Sequence, residues 1–470
     1  DVSESYKLII EDLQIAANDL PIENASGLPT RWAAGVLLSR AALQAYAYTG
    51  DASYLDVAIT AANDVISNSG VELSNSNGLF NETDLYNPEI LWGYYREKEN
   101  TYVSSFEELM RTYPNVSTDN VINSQSPVAL KQANGQTFEG WAIYFPTQDL
   151  VDQFLVTDEE TGKAMPWYET SQYKNNVTVL DPSSITEAGQ VDAYKQVNGD
   201  ARRIPTPQDL NQLNKSYPTF TRYHQLNKGA DRDLSELMYS GRDRRFYTAI
   251  VYDKCSWIGE TVELNLGGNL SAGVRDKEDG GWYNTTTGYY WRKGNIENPT
   301  PRAYHNCQVA LHFNIVRLGE AYMNLAEAYL LKHDVPNAVK ALNMTRTIHG
   351  GLSESTAATE EEAWADYIRE RNCELTNEGG DIYYSYLRWG KYGGYANHGR
   401  DAGDIIYDLD RPVYKMSISR DRSKLLVGQM TLNNSAQRKF TEKRYLLPIN
   451  QSFLNTREAY GLDHVQNKGW

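Results

Sequence analysis

The chain has 470 residues, of which 41% are hydrophobic, so it is long enough to bury a large core. Its formal charge of -16 at pH 7 argues against nucleic acid or an anionic membrane surface as a partner. No apolar stretch approaches the length that spans a bilayer, and the three cysteines lack metal-ligand spacing, so neither a membrane helix nor a zinc site is predicted.

Two helices are predicted at the start of the chain. Apolar residues recur at three- and four-residue steps between Asp1 and Leu20, which is typical of an amphipathic helix, and Pro21 ends it. Thr30 can cap a second helix that runs to Tyr48. We therefore assign residues 1–69 to helical hairpins.

Residues 70–241 are predicted to form a loop-rich insertion with short helices. The helical periodicity fails here, and Asn, Ser, Tyr and Gly dominate up to about residue 136. Residues 88–95 are a short apolar run that indicates a strand or an extended packed segment. Thr147 is expected to cap a helix that reaches Phe154.

The character of the chain changes again in residues 242–316, which we assign to short strands and an aromatic turn. Residues 248–252 and 261–266 alternate between apolar and polar side chains, as strands do. Residues 280–293 have the composition of a turn or hairpin and carry five aromatic side chains.

The strongest helical pattern lies between Arg317 and Gly350. Apolar residues recur at helical spacing on both sides of a break at residues 333–336, and Gly350 with Gly351 suits a helix end that needs φ > 0. Such a pair is an αα-hairpin of the tetratricopeptide kind. Residues 45–66 match the same pattern when one residue of offset is allowed, which indicates a second copy of the hairpin. The alternative is that the two segments are unrelated helix pairs.

A further helix is predicted from Thr359 to about Glu378, which completes a helical segment over residues 317–378. Residues 379–470 are interpreted as an irregular C-terminal segment, because Gly-Gly pairs, Pro412 and Pro448 interrupt them. The predicted fold class is mainly α, with tetratricopeptide-type helical hairpins, a large loop-rich remainder and a few short strands. Long loops on such a scaffold are where binding is expected.

No catalytic constellation can be assembled from the sequence. It contains no Gly-rich phosphate loop and no Gly-x-Ser-x-Gly elbow. The seven histidines are scattered; His305 and His312 are seven residues apart but have no third ligand nearby. We therefore expect no enzyme activity, no metal site and no cofactor.

Acidic residues leave two alternatives open. Scattered carboxylates cannot exclude the pair that a glycosidase requires. Glu370, Glu374 and Glu378 fall at four-residue steps and are interpreted as the salt-bridge face of one helix. The acidic cluster around Asp276 lacks the Gly and Glu of an EF-hand loop, so a solvated turn is the interpretation there.

Aromatic side chains provide the best functional candidate. The chain has 34 tyrosines and 10 tryptophans against 10 phenylalanines, and these two residue types join a flat apolar face to a polar tip. A ring beneath the C–H face of a sugar, with amides or guanidinium groups beside it, makes a stacking platform. Core packing is the alternative, and in a hairpin at most about half of the rings can face solvent. The candidate ligand-binding residues are Trp282, Tyr283, Asn284, Tyr289, Tyr290, Trp291 and Arg292.

The chain resembles the SusD/RagB family of outer-membrane nutrient-binding lipoproteins, and the similarity extends over nearly its whole length in the expected order. It includes Tyr386-Leu387-Arg388-Trp389-Gly390 and the tail that ends Gln466-Asn467-Lys468-Gly469-Trp470. The other supporting segments are residues 6–20, 32–66, 147–154, 242–246, 317–330, 341–350, 367–375 with 378–379, and 447–449.

The resemblance implies a single SusD-like unit over residues 1–470 that is not an enzyme. Such proteins take part in polysaccharide utilization: they are lipid-anchored on the extracellular face of the outer membrane, bind glycan and pass it to a SusC-like TonB-dependent transporter. Family members bind through aromatic residues in loops ahead of the helix that matches residues 317–330, which is where Trp282 to Trp291 lie.

Two departures from the family pattern affect these expectations. The lipid-bearing cysteine and the N-terminal portion that precedes Tyr6 in such proteins are absent from this sequence, so the anchor is inferred from the family alone. Residues that set specificity vary among members, so none is carried over by identity. An oligopeptide-binding member of the family is the first alternative function, and a glycoside hydrolase is the second.

Overall fold

The computed structural model describes most of the chain. The described residues are 1–75, 77–102, 107–114, 140–180, 222–257, 260–265, 268, 270, 285–297, 308–411, 413–429 and 438–470. Within them the helices are α1 (Val2–Asp19), α2 (Arg31–Thr49), α3 (Ser53–Asn68), α4 (Glu107–Thr112), α5 (Gln148–Val151), α6 (Ser171–Lys174), α7 (Leu234–Tyr239), α8 (Arg244–Ala249), α9 (Leu318–Leu331), α10 (Val335–Ile348), α11 (Glu360–Leu375), α12 (Asp381–Tyr392) and α13 (Gln451–Ala459).

The helix boundaries follow from local chemistry in the sequence. The hydroxyl of Thr30 accepts a hydrogen bond from the backbone N–H of Ala33 at the start of α2, as predicted. Gly50 ends this helix at φ 73°, a conformation that glycine adopts without steric cost. Thr359 and Glu362 form a capping box at the start of α11.

The predicted helical hairpins are present and pack against one another. α2 packs on α3, α9 packs on α10, and α3 contacts α9, so the two pairs lie side by side. Small residues allow this close approach, because Ala58 and Ala62 of α3 and Ala328 of α9 have no exposed surface. α1 covers α2, and α11 closes the other end against α9 and α10.

Short strands form several small sheets in the rest of the protein. The described strands are β1 (Ile90–Arg96), β2 (Val156–Thr157), β3 (Ala164–Met165), β4 (Val177–Leu180), β5 (Arg222–Leu226), β6 (Ile250–Val251), β7 (Ser256–Trp257), β8 (Glu260–Thr261), β9 (Tyr290–Trp291), β10 (Leu311–Arg317), β11 (Tyr414–Ile418) and β12 (Lys424–Gln429). Four of them make an antiparallel sheet in the order β11-β12-β5-β4.

β1 and β10 form a separate antiparallel ribbon that joins distant parts of the chain. Tyr94 pairs with Phe313 and Tyr95 with His312, across more than 200 residues of sequence. The ribbon leads directly into α9, since β10 ends at Arg317 and α9 starts at Leu318. The extended segment predicted at residues 88–95 is therefore confirmed as a strand.

Three of the predicted segments are wrong in detail. Of the strand predicted at residues 261–266, only Thr261 lies in a strand among the described residues, as the last residue of β8. Residues 244–249 are helical, so only Ile250 and Val251 of the predicted strand at 248–252 are extended. Residues 379–470 are not irregular, because they hold α12, β11, β12 and α13. α12 was missed because it follows Gly379–Gly380 and is rich in tyrosine, so tertiary packing rather than helix propensity stabilises it.

The core of the protein is divided into several hydrophobic clusters. One joins α9, α10, α11 and α12, and its largest members are Trp364, Tyr367 and Trp389. Two others lie among the short strands and flank β9. No helix among the described residues is long and apolar enough to cross a membrane.

Candidate functional site

Both tyrosines at the centre of the predicted aromatic turn are buried. Tyr289 and Tyr290 each have 0% of their surface exposed. Adjacent residues of a strand point to opposite sides. Here both sides are covered: Tyr290 packs in the hydrophobic cluster that contains Leu109 and Trp257, and Tyr289 packs in the cluster that contains Phe154. Neither ring can therefore stack beneath a sugar in this structure.

The hydroxyl groups of these two tyrosines have internal partners. Tyr289 donates to the side-chain oxygen of Gln148 at 2.8 Å and accepts from the hydroxyl of Tyr239 at 3.0 Å. Tyr290 donates to the backbone carbonyl of Leu270 at 3.1 Å. Burial raises the pKa of both tyrosines, so both stay neutral. Their contacts indicate a structural role.

The structure describes only two of the remaining candidate residues of the turn, Trp291 and Arg292. Trp291 is half-buried in β9, beside Ile250 of β6. Arg292 forms a two-point ion pair with Glu297, at 2.6 and 2.9 Å. Trp282, Tyr283, Asn284 and the acidic cluster around Asp276 lie outside the described residues.

An aromatic surface that the sequence did not reveal lies on the β1–β10 ribbon. Tyr94 and Phe313 are cross-strand partners on one face, and they are 49% and 38% exposed. The guanidinium group of Arg96 lies over the Tyr94 ring, 5.4 Å from its centre. This face presents two rings to solvent, with the half-buried Arg96 beside them.

The other face of the ribbon carries a stack of rings. Tyr86 stacks on Tyr95 with ring centres 5.2 Å apart, and Tyr95 stacks on His312 at 6.1 Å. Tyr86, at the outer end of the stack, is 66% exposed. We name Tyr86, Tyr94, Tyr95, His312 and Phe313 together the aromatic ribbon.

His312 of the aromatic ribbon is hydrogen-bonded to the backbone. Nε2 of His312 donates to the carbonyl oxygen of Leu79 at 2.9 Å. Burial lowers the pKa of His312, so the imidazole is neutral near pH 7. In the described part of the chain no three His, Cys, Asp or Glu side chains are grouped so as to hold a metal ion.

A buried group of charges anchors the aromatic ribbon to the helices. Arg317, the last residue of β10, pairs with Glu374 of α11 and with Glu378 just beyond that helix, and Nε of Arg317 lies 2.8 Å from Glu378. Lys293 also reaches Glu378, at 2.6 Å. Arg317 and Glu374 each have a side-chain exposure of 1%. We call these four residues, with His349 and Glu89, the ionic cluster.

The interpretation of Glu370, Glu374 and Glu378 as a salt-bridge face of one helix is therefore wrong. Glu370 and Glu374 are buried on α11, and their partners come from other elements, above all Arg245 of α8. The four-residue spacing places the two glutamates on one side of α11, but that side faces the interior of the protein. Buried acids of this kind need charged partners.

His349 links Glu374 to the strand that carries the ribbon. Its two ring nitrogens lie 2.8 Å from Glu374 and 2.9 Å from Glu89, the residue just before β1. Burial alone would lower the pKa of His349, but the two carboxylates outweigh burial and raise it to about 9. Burial likewise opposes the charge of Glu374, yet His349, Arg317 and Arg245 hold its pKa well below the usual range.

Together these features define a class of protein: a scaffold of packed helical hairpins that displays aromatic side chains from a short β-ribbon at its surface. The chain belongs to the SusD family, whose model matches residues 88–470. The predicted family and the predicted mainly α fold with helical hairpins are thus confirmed. No curated protein matches the chain.

Solved structures from Bacteroides share this fold. A SusD-like protein from Bacteroides fragilis is 20% identical, with 99% of this chain and 71% of that chain covered and a TM-score of 0.63. A SusD-like carbohydrate binding protein from the same species is 16% identical, with 96% and 69% covered and a TM-score of 0.58. Surface glycan-binding protein A from Bacteroides thetaiotaomicron is 14% identical, with 99% and 70% covered and a TM-score of 0.52.

Proposed function

We propose that the protein binds glycan at the cell surface without catalysis and delivers it to a SusC-like TonB-dependent transporter in the outer membrane. Membership of the SusD family supports this proposal. Two proteins of similar fold are named for carbohydrate or glycan binding. The proposed location is the extracellular face of the outer membrane, with a lipid anchor as in the family.

The observation that carries the proposal is the exposed aromatic ribbon. Exposed rings are costly to leave in water unless a partner covers them. Tyr94 and Phe313 present paired rings on one face of the strand pair, and Tyr86 is exposed at the end of the stack on the other face. A sugar has apolar C–H faces edged by hydroxyls, so it can stack on the rings while Arg96 donates to its oxygens. We propose that Trp282, Tyr283 and Asn284, predicted from the sequence, also contact the glycan.

Affinity electrophoresis against plant, fungal and bacterial polysaccharides is the direct test. A retarded band with at least one polysaccharide, and no release of reducing sugar from it, is the expected result. Release of reducing sugar would instead establish a glycoside hydrolase. Binding of oligopeptides with no retardation by any polysaccharide would establish the oligopeptide-binding alternative.

Removing one ring of the aromatic ribbon is expected to weaken this binding. Tyr94→Ala should lower the affinity for the retained glycan by about 1–2 kcal/mol, measured by calorimetry, because the stacking face and the support for Arg96 are both lost. Tyr460→Ala is the matched control, since Tyr460 is 80% exposed and lies at the end of α13. Equal affinities for the two variants would show that the ribbon does not contact the ligand.

The aromatic turn is tested in the same way. Trp282→Ala is expected to cost about 1–3 kcal/mol of glycan affinity if that ring is a stacking platform. Trp291→Ala is the companion variant, and its unfolding free energy should be measured in parallel because Trp291 packs against the core. Unchanged affinity in both variants, with the fold intact, would remove the turn from the site.

A further inference from the structure

A polar cavity lies between α5, α11 and α12. Its volume is about 210 Å³, and its walls include Arg369, Arg411 and Arg438. Pockets for drug-sized ligands are usually about 300–1,000 Å³, so this cavity suits one sugar residue. We call it the arginine cavity.

More arginines than acidic residues line the arginine cavity. Three guanidinium groups line it against two carboxylates, those of Asp149 and Asp408, while the whole chain carries a formal charge of -16. Arg411 alone pairs with both acids, and its Nε lies 3.1 Å from Asp408. Arg369 pairs with Asp366 at 2.8 Å, so among the described residues Arg438 is the arginine of this cavity that has no acidic partner.

These two arginines keep donors available. Arg438 donates one N–H to the backbone carbonyl of Asp408 at 3.0 Å, and Arg369 donates one to Asp366, its neighbour on α11, at 2.8 Å. Their other guanidinium N–H groups have no partner in the part of the chain that the structure describes. A guanidinium group with free, parallel N–H bonds matches the two oxygens of a carboxylate.

Neutral groups in the arginine cavity suit the rest of a sugar. Asn372 is 5% exposed and lines the cavity; its side-chain oxygen accepts from Tyr386 at 3.1 Å, which directs its amide N–H groups elsewhere. Those N–H groups have no partner among the described residues. Tyr386 adds a ring to the wall. A hydroxylated ring that bears a carboxylate satisfies all of these groups.

We infer that the arginine cavity binds a uronic-acid residue of the glycan, with its carboxylate on Arg369 and Arg438 and a ring hydroxyl on Asn372. This inference rests on the proposed glycan-binding function and names a class of ligand, an acidic polysaccharide. A neutral polysaccharide offers no carboxylate to pair with Arg438.

Calorimetry with trigalacturonate and with the neutral galactotriose of the same linkage tests the assignment. The protein is expected to bind trigalacturonate more tightly than the neutral trisaccharide. Arg369→Ala and Arg438→Ala should each lower the affinity for trigalacturonate about tenfold. Arg232→Ala is the matched control: the side chain of Arg232 is 29% exposed and that of Arg369 is 28% exposed, and both pair with one acid. Circular dichroism melts confirm that each variant is folded.

Each outcome decides a separate question. Equal affinity for the acidic and neutral trisaccharides, or unchanged trigalacturonate affinity in both variants, overturns the arginine cavity as a uronate site while glycan binding stands. Equally tight binding of triglutamate in the same cavity overturns the choice of sugar over peptide. Absence of binding to every saccharide, neutral or acidic, overturns the proposed function itself.

Discussion

Replacing Glu327 by glutamine is expected to lower the free energy of unfolding by about 3–5 kcal/mol, the usual cost of leaving a buried charge without its partner. Glu327 lies in α9 with no exposed surface and accepts two hydrogen bonds from Arg388 of α12, at 2.9 and 3.0 Å. It also accepts from the hydroxyls of Tyr367 and Tyr392. Glutamine keeps the shape of the side chain but removes the charge that neutralises Arg388.

Urea denaturation of Glu327→Gln and of Glu361→Gln provides the measurement and its control. Glu361 is exposed in the first turn of α11, so its replacement should change the free energy of unfolding by less than about 1 kcal/mol. Hydrogen exchange should speed up first in α12, because Glu327 is its anchor. A loss below about 1 kcal/mol for Glu327→Gln would show that α12 is held by its apolar contacts alone.

The second large effect is a loss of stability at alkaline pH through His349. The raised pKa of His349, about 9 against an ordinary 6.5, means that the protonated imidazole is favoured by folding. Its contribution, about 3 kcal/mol, is therefore fully present below pH 6.5 and is lost as the pH rises through about 9. Deprotonation leaves Glu89 and Glu374 without the cation between them.

Stability measured from pH 6 to 10 in the wild type and in His349→Gln tests this expectation. The variant should be less stable than the wild type near pH 6, and the difference should shrink from about pH 6.5 upward and be nearly gone by about pH 9. His333→Gln is the control, because the side chain of His333 is 77% exposed and pairs with Glu360 at the surface. A constant difference between the wild type and His349→Gln across this range would contradict a protonated His349.

Helices were predictable where the local pattern and the tertiary contacts agree. α2 and α11 begin at Thr30 and Thr359, whose hydroxyls cap them, and α9 repeats its apolar residues at helical spacing. α12 was missed because its stability comes from Glu327, more than fifty residues earlier in the chain. Nothing in the local sequence of α12 encodes that contact.

The sequence predicted an aromatic binding site, and two of its candidate rings are buried in the structure. It marked Tyr289 and Tyr290 because they lie in an aromatic run, whereas packing on both sides of β9 buries them. The aromatic ribbon was missed because Tyr94 and Phe313 are isolated in sequence and meet only when β1 pairs with β10. Sequence spacing is informative within one element, but a surface built from two strands depends on their register.

Amino-acid composition, helix periodicity, capping residues and family pattern by themselves determined the mainly α scaffold and the SusD family membership. These properties are local or are spread over the whole chain, so they can be read without coordinates. The tertiary structure alone decided which rings reach solvent, that Glu374 and His349 lie in a buried ionic cluster, and that Arg369 and Arg438 line one cavity. Each of these depends on contacts between segments far apart in sequence, because burial and charge pairing are properties of the packed chain.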